Sequence, residues 1–211
     1  MASETRPAPL AHHFDDYDQQ REAATLGMWL FIAQEIMFFG GLFLTYAVYR
    51  WKYPAWFALG SNQLDIPLGL VNTIVLIGSS LTMVLSVRAA QLGRAREIAG
   101  WLVSTMTLGT AFLVIKGFEY HHKWVHHLIP GEGFQLPGTT DPAAQTFFVI
   151  YFCMTGLHAL HMIVGLGLLG FLVPKALRGE FSAENHNWVE GVGLYWHFVD
   201  IIWIFLFPLL Y

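Results

Sequence analysis

The stretch TFFVIYFCMTGLHALHMIVGLGLLGFLVP, residues 146–174, decides the fold. A bilayer core roughly 30 Å thick needs about 20 apolar residues at a helical rise of about 1.5 Å. This run is longer, so it predicts a helix that tilts or projects from the membrane. Working outward from it, four further runs meet the same length, at about 27–49, 67–90, 98–118 and 189–211. Polar or turn-forming residues bound them: Arg50 and Lys52, Asp65-Ile66-Pro67, Gly93-Arg94-Ala95-Arg96, the stretch from Pro130 to Pro142, and Arg178-Gly179-Glu180. The expected fold class is all-α, an integral membrane bundle of five transmembrane helices. A flexible polar tail, 1–25, precedes a single membrane domain, 26–211.

Composition agrees. The 211 residues are 55% hydrophobic and 12% charged, with a mean hydropathy of +0.48. The charged fraction is about half that of soluble domains, and such a chain cannot cover itself with a polar surface, so lipid is its expected solvent. A net charge of -4 without a basic cluster offers nucleic acid no footprint. The single Cys153 lies inside an apolar run, which removes a disulfide framework or a cysteine metal site and suggests a small core residue. The first 25 residues lack an apolar h-region and a small-residue cleavage site, so a cleavable signal peptide is not expected.

Basic residues orient the bundle, because cytoplasmic segments retain positive charge. Arg6, Arg21, Arg88, Arg94, Arg96, Lys175 and Arg178 fall on one side; Arg50, Lys52, Lys116 and Lys123 fall on the other. That excess predicts a cytoplasmic N-terminus and a C-terminus on the outer side. Trp29, Trp51, Trp101, Trp124 and Trp188 lie near span ends, where indole suits the interface. Glycines and serines recur on the spans, Gly109 and Gly165 among them, and suit helices packed at close range.

Several polar residues fall where lipid disfavours them. Glu35 lies about a third of the way along the first span, with no basic residue within a helical turn. It is either a proton or partner contact, or a neutral acid bonded to a neighbouring helix. Lys116 and Glu119 are three apart and suit a local ion pair. His121, His122, His126 and His127 resemble a metal cluster in composition, but their interfacial position and the lack of a carboxylate–histidine pattern argue against one. His158 and His161 share a helix face and suit hydrogen bonds between helices better than ligation of metal or haem. His197 and Asp200, at i and i+3, are placed to satisfy each other.

Six phrases in order resemble the cytochrome c oxidase subunit III family. They are Leu30-Phe-Ile-Ala-Gln-Glu35-Ile-Met-Phe-Phe39, Val71-Asn72-Thr73, Lys116-Gly-Phe-Glu119-Tyr120, Thr146-Phe-Phe, Gly156-Leu-His158-Ala-Leu-His161, and Glu190 followed by Tyr195-Trp-His197-Phe-Val-Asp200. The resemblance implies a non-catalytic subunit of a proton-pumping haem–copper oxidase in aerobic respiration, in a bacterial plasma membrane. It implies packing against catalytic subunit I, with subunit II and further small subunits in the complex. Haem and copper would sit in those partners, with no cofactor or metal bound by this chain apart from phospholipid between its helices. Glu35 matches the family's carbodiimide-reactive intramembrane carboxylate, and the subunit is expected to keep proton uptake fast and protect the catalytic subunit. Lys116, Glu119, His158, His161, Glu190, His197 and Asp200 are expected as structural polar contacts.

Two departures accompany the resemblance. The chain begins at what would be the third helix of the seven-helix form, which puts the family's lipid cleft in question, and Gln34 stands where the family usually has Ser. The five-helix form also occurs in quinol oxidases, so the electron donor stays open. Further alternatives are an accessory protein of nitric oxide reductase and a proton-coupled transporter using Glu35, Lys116, Glu119 and Asp200. The last would need repeat symmetry, which the sequence does not show.

Overall fold

The computed structural model describes residues 14–139, 141–182 and 185–211, whose regular elements are helices, with no strand among the described residues. Five helices are long and apolar enough to cross a membrane. They are α1 (Tyr17–Lys52), α3 (Ile66–Gln91), α4 (Ala95–Val125), α5 (Gln145–Leu177) and α6 (Asn187–Leu210), with a short α2 (Pro54–Ser61) between the first two. Lipid accounts for this: a spanning segment must satisfy its backbone within itself, and a helix does so.

Local signals set the ends. Asp16 accepts from the backbone N–H of Gln19 (2.7 Å), which starts α1 at Tyr17, ten residues ahead of the expected span. Residues 17–25 of the expected tail are therefore the first turns of a helix; residues 1–13 lie outside the described residues. Asp65 accepts from Leu68 N–H (3.0 Å) and caps α3, with Pro67 in its first turn. α4 runs seven residues beyond its expected end, because Glu119 and Lys123 are held inside the bundle rather than released to water. His127, in the left-handed region at φ 53°, lies just past its end.

α3, α4, α5 and α6 pack edge to edge in a ring, α3 against α4 and α6, and α5 against α4 and α6; α1 lies outside the α5–α6 edge. Trp196 of α6 fills the middle. A Cβ on Gly109 of α4 would come within 2.6 Å of its ring, and one on Gly165 of α5 within 3.0 Å. Its indole N–H donates to Ser79 of α3 (3.2 Å). Glycine thus makes room for an indole shared by four helices. By contrast Gly40, Gly41 and Gly167 meet nothing within 4 Å, so the expectation of close backbone approach does not hold at those positions.

α1 is held on one stripe only. Ile32, Glu35, Phe39 and Tyr46 are buried, whereas Leu30, Met37, Leu44 and Trp51 are exposed. At its far end the Tyr46 hydroxyl donates to the Leu209 carbonyl (2.6 Å), which Arg50 also reaches (3.2 Å). Cys153 is exposed on α5, which corrects its reading as a core residue. An apolar residue on a membrane-spanning helix can face outward as well as inward, so hydrophobicity there did not mean burial.

Candidate functional site

Glu35 lies near the middle of α1, with its residue 8% exposed. Its Oε2 is 3.2 Å from His161 Nε2 on α5, though the two are not aligned as a hydrogen bond. The other ring nitrogen, Nδ1, is 2.9 Å from the carbonyl of Leu157. A carbonyl only accepts, so Nδ1 carries a proton. Nε2 is then the ring nitrogen that faces Glu35. A carboxyl at mid-membrane thus has an imidazole from a neighbouring helix beside it, where lipid would offer no polar neighbour. Phe39 packs edge-on against the His161 ring (5.2 Å), and the Tyr195 hydroxyl donates to the His161 carbonyl (2.9 Å). Gln34 is exposed beside Glu35.

His158, one turn from His161, does something else. It is 1% exposed, both ring nitrogens lack a protein hydrogen-bond partner, and the ring lies 5.1 Å from Trp203 and 5.5 Å from Phe112. It behaves as an aromatic core residue. The two histidines therefore do not act as a pair, despite their spacing.

At the end of the bundle where α4 and α6 finish, a charged cluster is closed from water. Glu119 takes Lys116 at 2.8 Å on Oε2 and Lys123 at 2.7 Å on Oε1. Tyr151 and Tyr211 donate to the same Oε1, and each accepts from Lys116 (3.0 and 2.7 Å). Burial raises the Tyr211 hydroxyl above its ordinary range, so it serves as a neutral donor. Lys116 also lies 4.8 Å over the Trp203 ring. Lys123 could have been found from its i,i+4 spacing to Glu119. Tyr151 and Tyr211 could not, since they arrive from α5 and from the residue after α6.

Glu190 joins the opposite end. It accepts from Gln91 of α3 (3.0 Å) and is 3.2 Å from His186 Nε2. His197 and Asp200 do not satisfy each other. His197 Nδ1 instead meets Ser80 Oγ of α3 at 2.7 Å, while both oxygens of Asp200 lack a protein hydrogen-bond partner. Spacing along α6 put the two on neighbouring positions, but a polar residue on α3 offered His197 the better partner. The His122 and His126 rings stack at 4.0 Å. Among the described residues no group of three or more His, Cys, Asp or Glu side chains could hold a metal ion.

Comparison with known proteins follows this geometry. The family model of cytochrome c oxidase subunit III matches residues 13–211. The chain is 36% identical to a cytochrome c oxidase subunit 3 of Synechocystis sp. over 88% of this chain and 73% of the relative. It is 33% identical to a cytochrome c oxidase subunit 3 of Thermostichus vulcanus over 95% and 90%. It is also 29% identical to a cytochrome bo(3) ubiquinol oxidase subunit 3 of Pseudomonas aeruginosa over 96% and 90%. With the match covering residues 13–211 and so all five spans, the chain belongs to the cytochrome c oxidase subunit III family, as subunit III of a haem–copper oxidase.

Proposed function

We propose that the chain acts as a non-catalytic subunit of a cytochrome c oxidase in a bacterial plasma membrane, docked on the catalytic subunit and supporting its proton uptake and durability. The observation that carries this reading is the Glu35–His161 pair, a largely buried carboxyl and imidazole 3.2 Å apart on two helices. Such a pair places a carboxyl and an imidazole side by side between two helices, within the span. Electrons and oxygen belong to haem and copper in the partner chains, and phospholipid fills the open flanks of α1. The excess of Lys and Arg at one end supports a cytoplasmic N-terminus. The bo(3) ubiquinol oxidase relative supports a second reading, with quinol as electron donor.

The test is to purify the complex through a tag on this chain and record its reduced-minus-oxidised spectrum, wild type against Glu35→Ala. The expected result is haem a bands of equal amplitude in both, with slower or less durable turnover in the variant. Haem b and o bands without haem a would select the quinol reading. Unchanged initial rate and durability in Glu35→Ala would remove the proposed role of Glu35.

A further inference from the structure

The end of α4 carries a pair of histidines that the buried clusters leave unused. His122 and His126 are both exposed, one helical turn apart, with ring centroids 4.0 Å apart and planes inclined by 30°. His126 is the C-cap of the helix. Its Nδ1 lies 2.8 Å from the His122 carbonyl. A carbonyl only accepts, so Nδ1 carries a proton, and the neutral ring keeps its lone pair on Nε2. Metal-binding histidines are oriented in the same way, by a bond from the second ring nitrogen to a carbonyl or carboxylate.

The surroundings suit a cation. A helix C-terminus is the negative end of the helix dipole. Lys123 follows His122 in sequence, but its ammonium is buried and paired with Glu119 at 2.7 Å, so it presents no exposed positive charge there. Two nitrogens on one tetrahedral zinc ion, each at about 2.0–2.1 Å, stand roughly 3.3 Å apart. Rings stacked at 4.0 Å reach that spacing by small side-chain rotations. Imidazole suits zinc, copper and nickel, whereas calcium and magnesium take oxygen ligands. His121 lies about 100° round the helix from His122, and His127 falls past the helix end in the left-handed region. Among the described residues no third His, Cys, Asp or Glu completes a closed centre, so water would fill the remaining positions.

We propose that His122 and His126 chelate a zinc-class divalent ion in an open, exchangeable site at the end of α4. The missing carboxylate–histidine pattern speaks against a closed structural centre, and a two-imidazole clamp does not require one. Bound there, the ion ties the last helical turn to its C-cap. The site is independent of which oxidase the chain serves.

The complex tests it, purified through a non-histidine tag, freed of loose metal on a chelating resin, and titrated with Zn²⁺ against a chromophoric zinc indicator. His122→Gln and His126→Gln should each weaken one zinc ion by at least about tenfold, since losing even a group that orients a metal ligand costs about 10–100-fold. His121→Gln should titrate as the wild type does. The three positions are exposed, and unchanged yield and absorption spectrum show that each variant is assembled. In the wild type, zinc should also slow amide hydrogen exchange across residues 123–127 and leave the opposite end of α4 unchanged. Equal titrations for the wild type and both pair variants would leave only adventitious zinc elsewhere and overturn the site. An equal loss in His121→Gln would mean a diffuse histidine surface and overturn the pair. Unaltered exchange at saturating zinc overturns the clamp on the helix end.

Discussion

Trp196 lies against Gly109, its ring where a Cβ on that glycine would stand within 2.6 Å. The same indole reaches Ser79 and faces Gly165, so one side chain ties α6 to α3, α4 and α5. Ring atoms that large have no free volume to retreat into, because Trp196 is completely buried. Gly109→Val should therefore cost about 1–3 kcal/mol through overpacking. Thermal unfolding of the detergent-solubilised complex checks this, with Gly167→Val, where nothing lies within 4 Å, as the near-silent control.

Glu119 stands between two lysines, each at least as buried as itself. Removing its charge leaves two ammonium groups in a water-poor place with only phenol oxygens to accept from them. Glu119→Leu should destabilise the bundle by about 3–5 kcal/mol, the range for breaking a buried pair from one side. Replacing Lys123 by Met in the same chain should recover part of that loss. Unfolding midpoints of the two single variants and the double variant give the coupling directly, and simple additivity would show that the cluster is not a unit.

The pair Glu35–His161 gives a different outcome for neutral and charged replacements. Glu35→Gln preserves shape and carries no charge of its own, so the inserted yield should stay near that of the wild type. Glu35→Lys puts an ammonium beside an imidazole at mid-membrane, at about 3 kcal/mol on insertion scales. The amount of full-length chain extracted from membranes measures both, and equal yields would show that the site tolerates charge.

The five spans were legible because lipid imposes one length and one backbone solution, and the observed ends of α3, α5 and α6 fall within three residues of the expected ones. α2 was not. Its eight residues, Pro54–Ser61, are too few to carry a periodic pattern, and Trp56 and Phe57 read equally well as a loop touching the interface. At the sites, contacts within one helix could be read, as for Lys116 and Glu119. Contacts made across helices could not: Tyr151 and Tyr211 on Glu119, Ser80 on His197 and His161 on Glu35 depend on rotation and depth that single-helix spacing leaves free. The His197–Asp200 pairing failed for that reason. Sharing part of a face is necessary for contact, but the better partner stood on another helix.

His158 offers the sharpest separation between polarity and use. Both its ring nitrogens lack protein partners, and its neighbours include the rings of Phe112 and Trp203. A buried polar group that makes no hydrogen bond contributes by its shape, and replacing it with an apolar side chain of similar size removes a desolvation cost while keeping the packing. His158→Leu should hold or raise the unfolding midpoint of the complex, and His158→Ala should lower it by the cavity it opens, on the order of 2–4 kcal/mol. The haem spectrum should stay unchanged in both. A Leu variant as damaged as the Ala variant would mean that the imidazole nitrogens, and not the shape alone, matter to the bundle.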